Sequence, residues 1–468
     1  MTAPSALHYL SIAEASRRIA TGRLSPVDLV KAMLARIRAL DHRLNSFVLV
    51  LEGEAMRQAR LAERAIRAGR RIGPLHGIPI ALKDVYDTKG VRTAAQSRLL
   101  VDRVPDRDAA VVRRLRQAGA IILGKLTTHE FAIGGPSFDL PWPPARNPWN
   151  PDYFTGGSST GAGAAVAAGF IPGALGSDTG GSIRMPAAYC GIAGLKPTYG
   201  LVSRAGVVPL AYSLDHCGPM AWTAEDCAYL LEAIAGFDAD DPASARRRRL
   251  SFVRSLKGDI AGMRIGVVRQ FYESDLEATQ EARAAIEAAL KVLRRLGATL
   301  VEITLPKLRE WDACCLLISY AESYALHEHD LRTRPFAYGK IARERLLAGA
   351  LIGAGDYVKA LRQRRSLSEG YVAALAEADA LVTACAIEPP SPLADMVSWP
   401  SMRPRARMAV TPFNVSGAPA LSLCAGFGTD GLPLSLQIAA KPFDDAIVLR
   451  LGHAYERATD WRGTRPRL

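Results

Sequence analysis

Two short segments rich in Gly and Ser, together with one lysine, carry the chemistry this sequence offers. The first segment is G-S-D-T-G-G-S-I-R at residues 176–184, which sets Ser182 directly after two consecutive glycines. Glycines let successive backbone N–H groups turn to one side, the arrangement needed to hold an oxyanion. A neutral serine is a poor nucleophile until a base takes its proton. No histidine lies close to Ser182 in the chain, so the base must come from elsewhere. A buried lysine can serve, because desolvation lowers its pKa toward neutrality. Lys83 ends the apolar run I-P-I-A-L, in a chain with only 11 lysines among its 59 basic residues. Taken singly, a lysine at a strand end is an ordinary solvated side chain, and a serine in a glycine turn is ordinary structure.

The second segment is F-T-G-G-S-S-T-G-A-G at residues 154–163. It lacks the lysine of a phosphate-binding loop and the acidic ribose partner of a dinucleotide site. Gly157 to Gly161 does satisfy G-x-S-x-G, the nucleophile elbow of a histidine-based esterase with Ser159 as nucleophile. Such an esterase also needs a downstream carboxylate and histidine. His216, His327, His329 and His453 are present, but none sits in a suggestive context. His327 and His329 read as surface residues. Neither the histidines nor the 7 cysteines show the spacing of a metal site.

The elements that must position these groups alternate between strand and helix. Ser11 with Glu14 fits a capping box, and Ser25-Pro26 with Asp28 starts a second helix. Val27, Leu29, Val30, Met33, Leu34 and Ile37 give that helix one apolar stripe. Residues 77–85 read as a buried strand, 109–117 as a helix stopped by Gly119, and the run from Ala120 as another buried strand. Residues 154–187 are poor in charge and interleave Gly and Ser with apolar runs, so they read as packed core where backbones approach closely. Alternation resumes with strands at 263–268 and 299–305 around a helix at 281–296. Two late strands, 419–427 and 432–440, precede a final helix from about Asp444. This pattern is α/β. Residues 238–260, including the basic run Arg246–Arg249, read as a solvated surface linker.

Composition narrows the classes further. The chain has 468 residues, 49% hydrophobic and 22% charged, which excludes a disordered chain. The net charge of +13 is nearly all arginine and is not gathered into a nucleic-acid motif, so no nucleic-acid partner is expected. The N-terminus lacks the form of a signal peptide. The most apolar stretch, 161–176, is built from small residues and broken by Pro172, so no membrane span is expected. Sparse, odd-numbered cysteines suggest reduced thiols and a cytoplasmic location.

Taken together, the pieces resemble the amidase signature family. L-x-G-I-P-x-x-x-K-D (75–84), G-G-S-S-x-G (156–161) and D-x-G-G-S-I-R-x-P-A (178–187) occur in that order. G-K-x-T-x-x-E-F-A-x-G (124–134), R-N-P-W-N-P (146–151), C-G-I-x-G-L-K-P-T-x-G (190–200), N-x-S-G-x-P-A (414–420) and L-P-x-S-L-Q (432–437) also fit, so the resemblance spans essentially the whole chain. It implies one α/β domain over residues 1–468, with a large, mixed, twisted sheet covered by helices on both faces. It implies a Ser–cis-Ser–Lys triad of Ser182 (nucleophile), Ser158 (after a cis bond from Gly157) and Lys83 (base). Backbone N–H groups of Thr179, Gly180, Gly181 and Ser182 would hold the oxyanion, with Ser159, Asp178 and Arg184 in support. Phe131, Ala132, Ile133 and Gly134 would form an apolar acyl pocket. No metal or organic cofactor is implied, and a homodimer is expected.

Within the family, two activities compete. Resemblance to the glutamine-hydrolysing A subunit of a tRNA-dependent amidotransferase would imply a tyrosine-rich stretch followed by an arginine that grips the substrate carboxylate. Here residues 355–365 read G-D-Y-V-K-A-L-R-Q-R-R, so Arg364 matches but the tyrosines are mostly missing. Arg407 stands where that subgroup has an aspartate for the substrate's amino group. These departures favour a stand-alone amidase that takes aryl or alkyl amides, with chemistry extending to carbamates (urethanes) and esters.

Overall fold

The computed structural model describes residues 7–247, 251–397 and 408–468. Its centre is one sheet of eleven strands: β1 (Phe47–Val50), β2 (Pro79–Lys83), β3 (Ile121–Leu126), β4 (Gly173–Asp178), β5 (Ala193–Lys196), β6 (His216–Ala221), β7 (Arg264–Val267), β8 (Thr299–Glu302), β9 (Ala380–Ala384), β10 (Ala420–Phe427) and β11 (Pro433–Ala440). Their spatial order is β1-β3-β2-β4-β6-β5-β10-β11-β9-β7-β8. The sheet is mixed. β2 runs parallel to both β3 and β4, and β7 runs parallel to β8 and β9. The other pairings are antiparallel.

Burial follows strand position. Every residue of β2, β3, β4 and β6 is buried, whereas the outer strands β1 and β8 contain no buried residue. Both faces are covered, as the alternation of side chains along a strand requires. Ile80 and Leu82 of β2 join one apolar cluster, while Ala81 between them joins another that includes Val30, Leu34 and Ile37 of the helix Pro26–Leu44. Likewise, Val382 of β9 and its neighbour Leu381 face different clusters.

Local chemistry explains the elements next to the site. Ser25 accepts from the Val27 and Asp28 N–H groups and caps the helix Pro26–Leu44, as its sequence predicts. The helix Thr160–Ala167 is buried along its whole length. A Cβ at Gly161 would lie 2.2 Å from the Ser46 carbonyl oxygen and 2.6 Å from the Thr127 nitrogen. Only glycine lets that helix pass so close to the chain entering β1 and leaving β3. The Gly- and Ala-rich composition therefore marks packed core.

The segment 238–247 lies at the surface as expected, with Asp240, Pro242, Arg246 and Arg247 exposed, but it is pinned to its neighbours. Arg204 pairs with buried Asp241, and Ser203 bonds Asp238. The Arg246 and Arg247 guanidiniums stack on the rings of Phe237 and Phe443. These contacts tie the segment up to 247 to the protein body. Arg248 and Arg249 lie outside the described residues. All seven cysteines are buried and none forms a disulfide. Among the described residues, no helix is long and apolar enough to cross a membrane.

Candidate active site

The site forms at the carboxyl ends of the parallel strands β2 and β4, where open α/β sheets place their ligands. Lys83 is the last residue of β2 and is fully buried. Its Nζ donates to Ser158 Oγ at 2.7 Å and to Ser177 Oγ at 2.8 Å. Burial pulls its pKa down to about 7, against the opposing pull of the Asp178 and Asp215 carboxylates. An amine in that state is half neutral at physiological pH and can accept a proton.

Ser158 stands in the turn that enters the helix Thr160–Ala167, and the Gly157–Ser158 peptide bond is cis. A Cβ at Gly157 would lie 2.2 Å from His129 Cε1, so the imidazole seats directly against the turn. Ser158, Ser182, Thr179 and Gly180 face one cavity of about 160 Å³. Ser182 follows the glycine pair between β4 and the helix Arg184–Cys190. Lys83, Ser158 and Ser182, named from three distant stretches of sequence, are thus brought to one place.

A buried ion pair shapes the loop. Arg184 and Asp178 are both fully buried, with Arg184 Nη2 3.0 Å from Asp178 Oδ1. Arg184 also donates to the Val410 carbonyl, Gln437 and Asn414, and Asn414 donates to Asp178. Burial pushes the Asp178 carboxyl up, but the Arg184 charge and the hydrogen bonds from Arg184 and Asn414 outweigh it and hold the group well below the usual carboxylate range. Asp178 also accepts from the Gly181 N–H at 2.7 Å and the Ile183 N–H at 3.1 Å. The Gly181 N–H is therefore taken by Asp178, which removes it from the expected oxyanion donors. Thr179 Oγ1 donates to Asp215, whose other oxygen accepts from the Leu210 and Ala211 N–H groups.

Ser159 is fully buried. Its Oγ donates to the Ser177 carbonyl and accepts from the Ser177 N–H. It is absent from the cavity wall and bonds no histidine, so the esterase elbow is not built. His216 faces the backbone carbonyls of Asp178 and Leu214 instead.

The acyl pocket departs from expectation. Ala132, Ile133 and Gly134 line the cavity, but Phe131 does not. Phe131 has φ 47° and turns into the core, edge-on to His327 with ring centres 4.4 Å apart. His327 is itself buried and bonds the Tyr338 hydroxyl at 2.9 Å, contrary to the expected surface position, whereas His329 is exposed. The wall is not purely apolar, since Ser319, Arg345, Glu388 and Ser391 join it. Arg364, the sequence candidate for a carboxylate grip, is not on the wall. It donates to the Val415 carbonyl and lies over the Tyr199 ring. Arg407 lies outside the described residues.

Sequence reasoning missed Ser177, Asp215, Arg345 and Glu388. Ser177 carried a signal, being the hydroxyl immediately before Asp178. The other three arrive from elements whose tertiary placement no local pattern reveals. Among the described residues, no group of three or more His, Cys, Asp or Glu could hold a metal ion.

An eleven-stranded mixed sheet carrying a buried lysine against a serine pair defines an enzyme that hydrolyses amide C–N bonds. The chain belongs to the amidase family, whose sequence profile matches residues 28–449. It is 39% identical over 485 residues to the A subunit of glutamyl-tRNA(Gln) amidotransferase from Chloroflexus aggregans, covering 99% of each chain. Among solved structures, it superposes with a TM-score of 0.91 and 32% identity on a chain from a vestigial protein complex described as revealing the evolutionary origins of an s-triazine catabolic enzyme, covering 98% of this chain and 100% of that one. It also matches the A subunit of the Thermotoga maritima glutamyl-tRNA(Gln) amidotransferase at TM-score 0.81 and 32% identity, covering 97% and 96%. These likenesses overturn the expectation of a stand-alone amidase. Relatives 37–39% identical over nearly the whole chain are named as A subunits of an amidotransferase, and the local departures at 355–365 and Arg407 weigh less than that similarity.

Proposed function

We propose that this chain is the amide-hydrolysing subunit of a tRNA-dependent amidotransferase, releasing ammonia from the side-chain amide of glutamine. The observation that carries this reading is end-to-end similarity to A subunits in a chain that keeps the Lys83–Ser158 contact. In this reading residues 1–468 act as one domain, in the cytoplasm, with protein partners and no cofactor of its own.

Neutral Lys83 takes the Ser158 proton as Ser158 takes that of Ser182. Ser182 Oγ then bonds the amide carbon. The oxyanion is held by N–H groups of the 179–182 loop other than that of Gly181. One such donor contributes about 3 kcal/mol to the transition state. The C–N bond breaks as the proton returns through Ser158 to the leaving nitrogen, giving ammonia and an acyl ester on Ser182. Water, deprotonated through the same relay, attacks the ester and frees glutamate. Asp178, Arg184 and Asp215 fix the loop, and Ser159 holds β4 against the Ser158 turn.

The test is ammonia release from L-glutamine by the purified chain, alone and with the remaining subunits of an amidotransferase. Release that depends on Ser182 supports the proposal. Turnover of other amides, with glutamine untouched in the full assembly, contradicts it.

A second reading is favoured by one observation: Arg364, the residue matching the family's carboxylate grip, lies off the cavity wall. In it, the same triad works within a protein complex on an amide from s-triazine breakdown, and glutamine is not hydrolysed.

A further inference from the structure

We infer that His129 selects an amide over an ester, its Nε2 accepting an N–H bond of the scissile amide nitrogen beside Ser158. The inference rests on the proposed hydrolysis of glutamine at Ser182. His129 follows shortly after β3, is buried, and stands on the wall of the cavity that Ser158 and Ser182 face. Its Nε2 is buried without a hydrogen-bond partner, and among the described residues it is the one such side-chain atom on that wall. Buried polar atoms are as a rule paired, so one left open on a reaction cavity points to a group that the substrate brings.

The ring is fixed in position and in tautomer. It lies parallel to the Phe154 ring, with ring centres 5.9 Å apart and 10° between the planes. The His129 backbone N–H donates to the Ser158 carbonyl at 3.2 Å, which ties it to the turn that carries the relay serine. A Cβ at Gly157 would lie 2.2 Å from Cε1 and 2.5 Å from Nε2, so that edge of the ring faces Gly157, and any side chain there would cover it. Burial, then the positive charges of Lys83 and Arg345, pull the His129 pKa down to about 3, so the ring is neutral at physiological pH. A hydrogen bond to the Gly134 backbone pulls the other way. Only an accepting carbonyl favours the protonated ring, so Nδ1 carries the hydrogen and Nε2 keeps a lone pair.

A primary amide brings two N–H bonds to this wall. When Ser182 Oγ bonds the carbonyl carbon, the nitrogen becomes pyramidal, and its lone pair must point at Ser158 Oγ to take the proton. An acceptor that holds one N–H bond fixes that direction, and the C–N bond then breaks to release ammonia. The leaving oxygen of an ester has no N–H bond, so Nε2 gives it no such hold.

The test compares two substrates that form the same acyl-enzyme on Ser182, L-glutamine and the γ-methyl ester of L-glutamate, with the remaining subunits of an amidotransferase present. Glutamate release is followed for both. His129→Phe keeps an aromatic ring against Phe154 and removes the acceptor. It is expected to lower kcat/KM for the amide at least tenfold more than for the ester, while fluorophosphonate labelling of Ser182 keeps at least half its wild-type rate. His129→Gln brings an amide oxygen close to the position of Nε2 and should fall between. Equal losses for amide and ester, or no loss, would overturn the inference. A labelling rate that falls in step with the amide rate would also overturn it, by tracing the effect to the Ser182–Ser158–Lys83 relay. A wild type that releases glutamate from neither substrate, or from the ester alone, would remove the glutamine reading and the inference together.

Discussion

Replacing Lys83 by Met should silence the enzyme while making the folded state relatively more stable at neutral pH. In the fold, burial lowers the Lys83 pKa from 10.5 to about 7. The unfolded chain therefore binds more protons than the folded one between about pH 7 and 10.5, and wild-type stability must rise with pH across that window. Holding the amine buried costs about 5 kcal/mol at pH 7, since each pKa unit corresponds to about 1.36 kcal/mol. Lys83→Met removes that cost and gives up the two hydrogen bonds to Ser158 and Ser177, worth about 1 kcal/mol each. Urea unfolding of both proteins at pH 7 and 9 should show the difference moving toward wild type by about 2 kcal/mol, and staying flat below pH 7. For activity, kcat/KM of wild type should fall about tenfold for each pH unit below 7, because only the neutral amine accepts the Ser158 proton. A pH-independent stability difference, or a rate that climbs steadily to pH 10, would refute a Lys83 tuned by burial.

Gly161→Ala would push a methyl group to 2.2 Å from the Ser46 carbonyl oxygen, so it should cost about 3 kcal/mol in urea unfolding. A loss below about 0.5 kcal/mol would show that the helix Thr160–Ala167 can shift aside. Arg184→Met strands buried Asp178, and a loss of about 3–5 kcal/mol is expected. The double variant with Asp178→Asn should be no worse than Arg184→Met alone, and additive losses would deny the coupling. Ser159→Ala should lower stability by about 1 kcal/mol and leave acylation of Ser182 intact, whereas abolished acylation would restore the esterase elbow.

Lys83, Ser158 and Ser182 were legible only as a set, because the ordered motifs shared with the family join residues that are ordinary when taken singly. Lys83 ends an apolar strand, Ser158 follows a glycine pair and Ser182 follows two glycines, and these features gain meaning from their order along the chain. The flank of the site was not legible. Phe131 sits in an apolar-looking loop, yet a positive φ turns its ring into the core against His327. Arg345 enters the wall from a helix more than 150 residues after Ser182 in the sequence, and nothing in that helix's own pattern announces it. The α/β alternation and the strands 79–83, 121–126 and 433–440 followed from periodicity, but the order of eleven strands depends on pairings no window of sequence contains. Two local departures, at 355–365 and Arg407, point toward a stand-alone amidase, whereas the likeness to amidotransferase A subunits is spread along the whole chain and no short window displays it.

The central claim is that Ser182 is the nucleophile and Lys83 its base. Treating the purified chain with a fluorophosphonate probe and mapping the modified peptide by mass spectrometry tests it most directly, with no assumption about substrate. The account predicts a single adduct on Ser182 that Lys83→Met abolishes. An adduct on Ser159, or one on Ser182 that survives loss of Lys83, would contradict it.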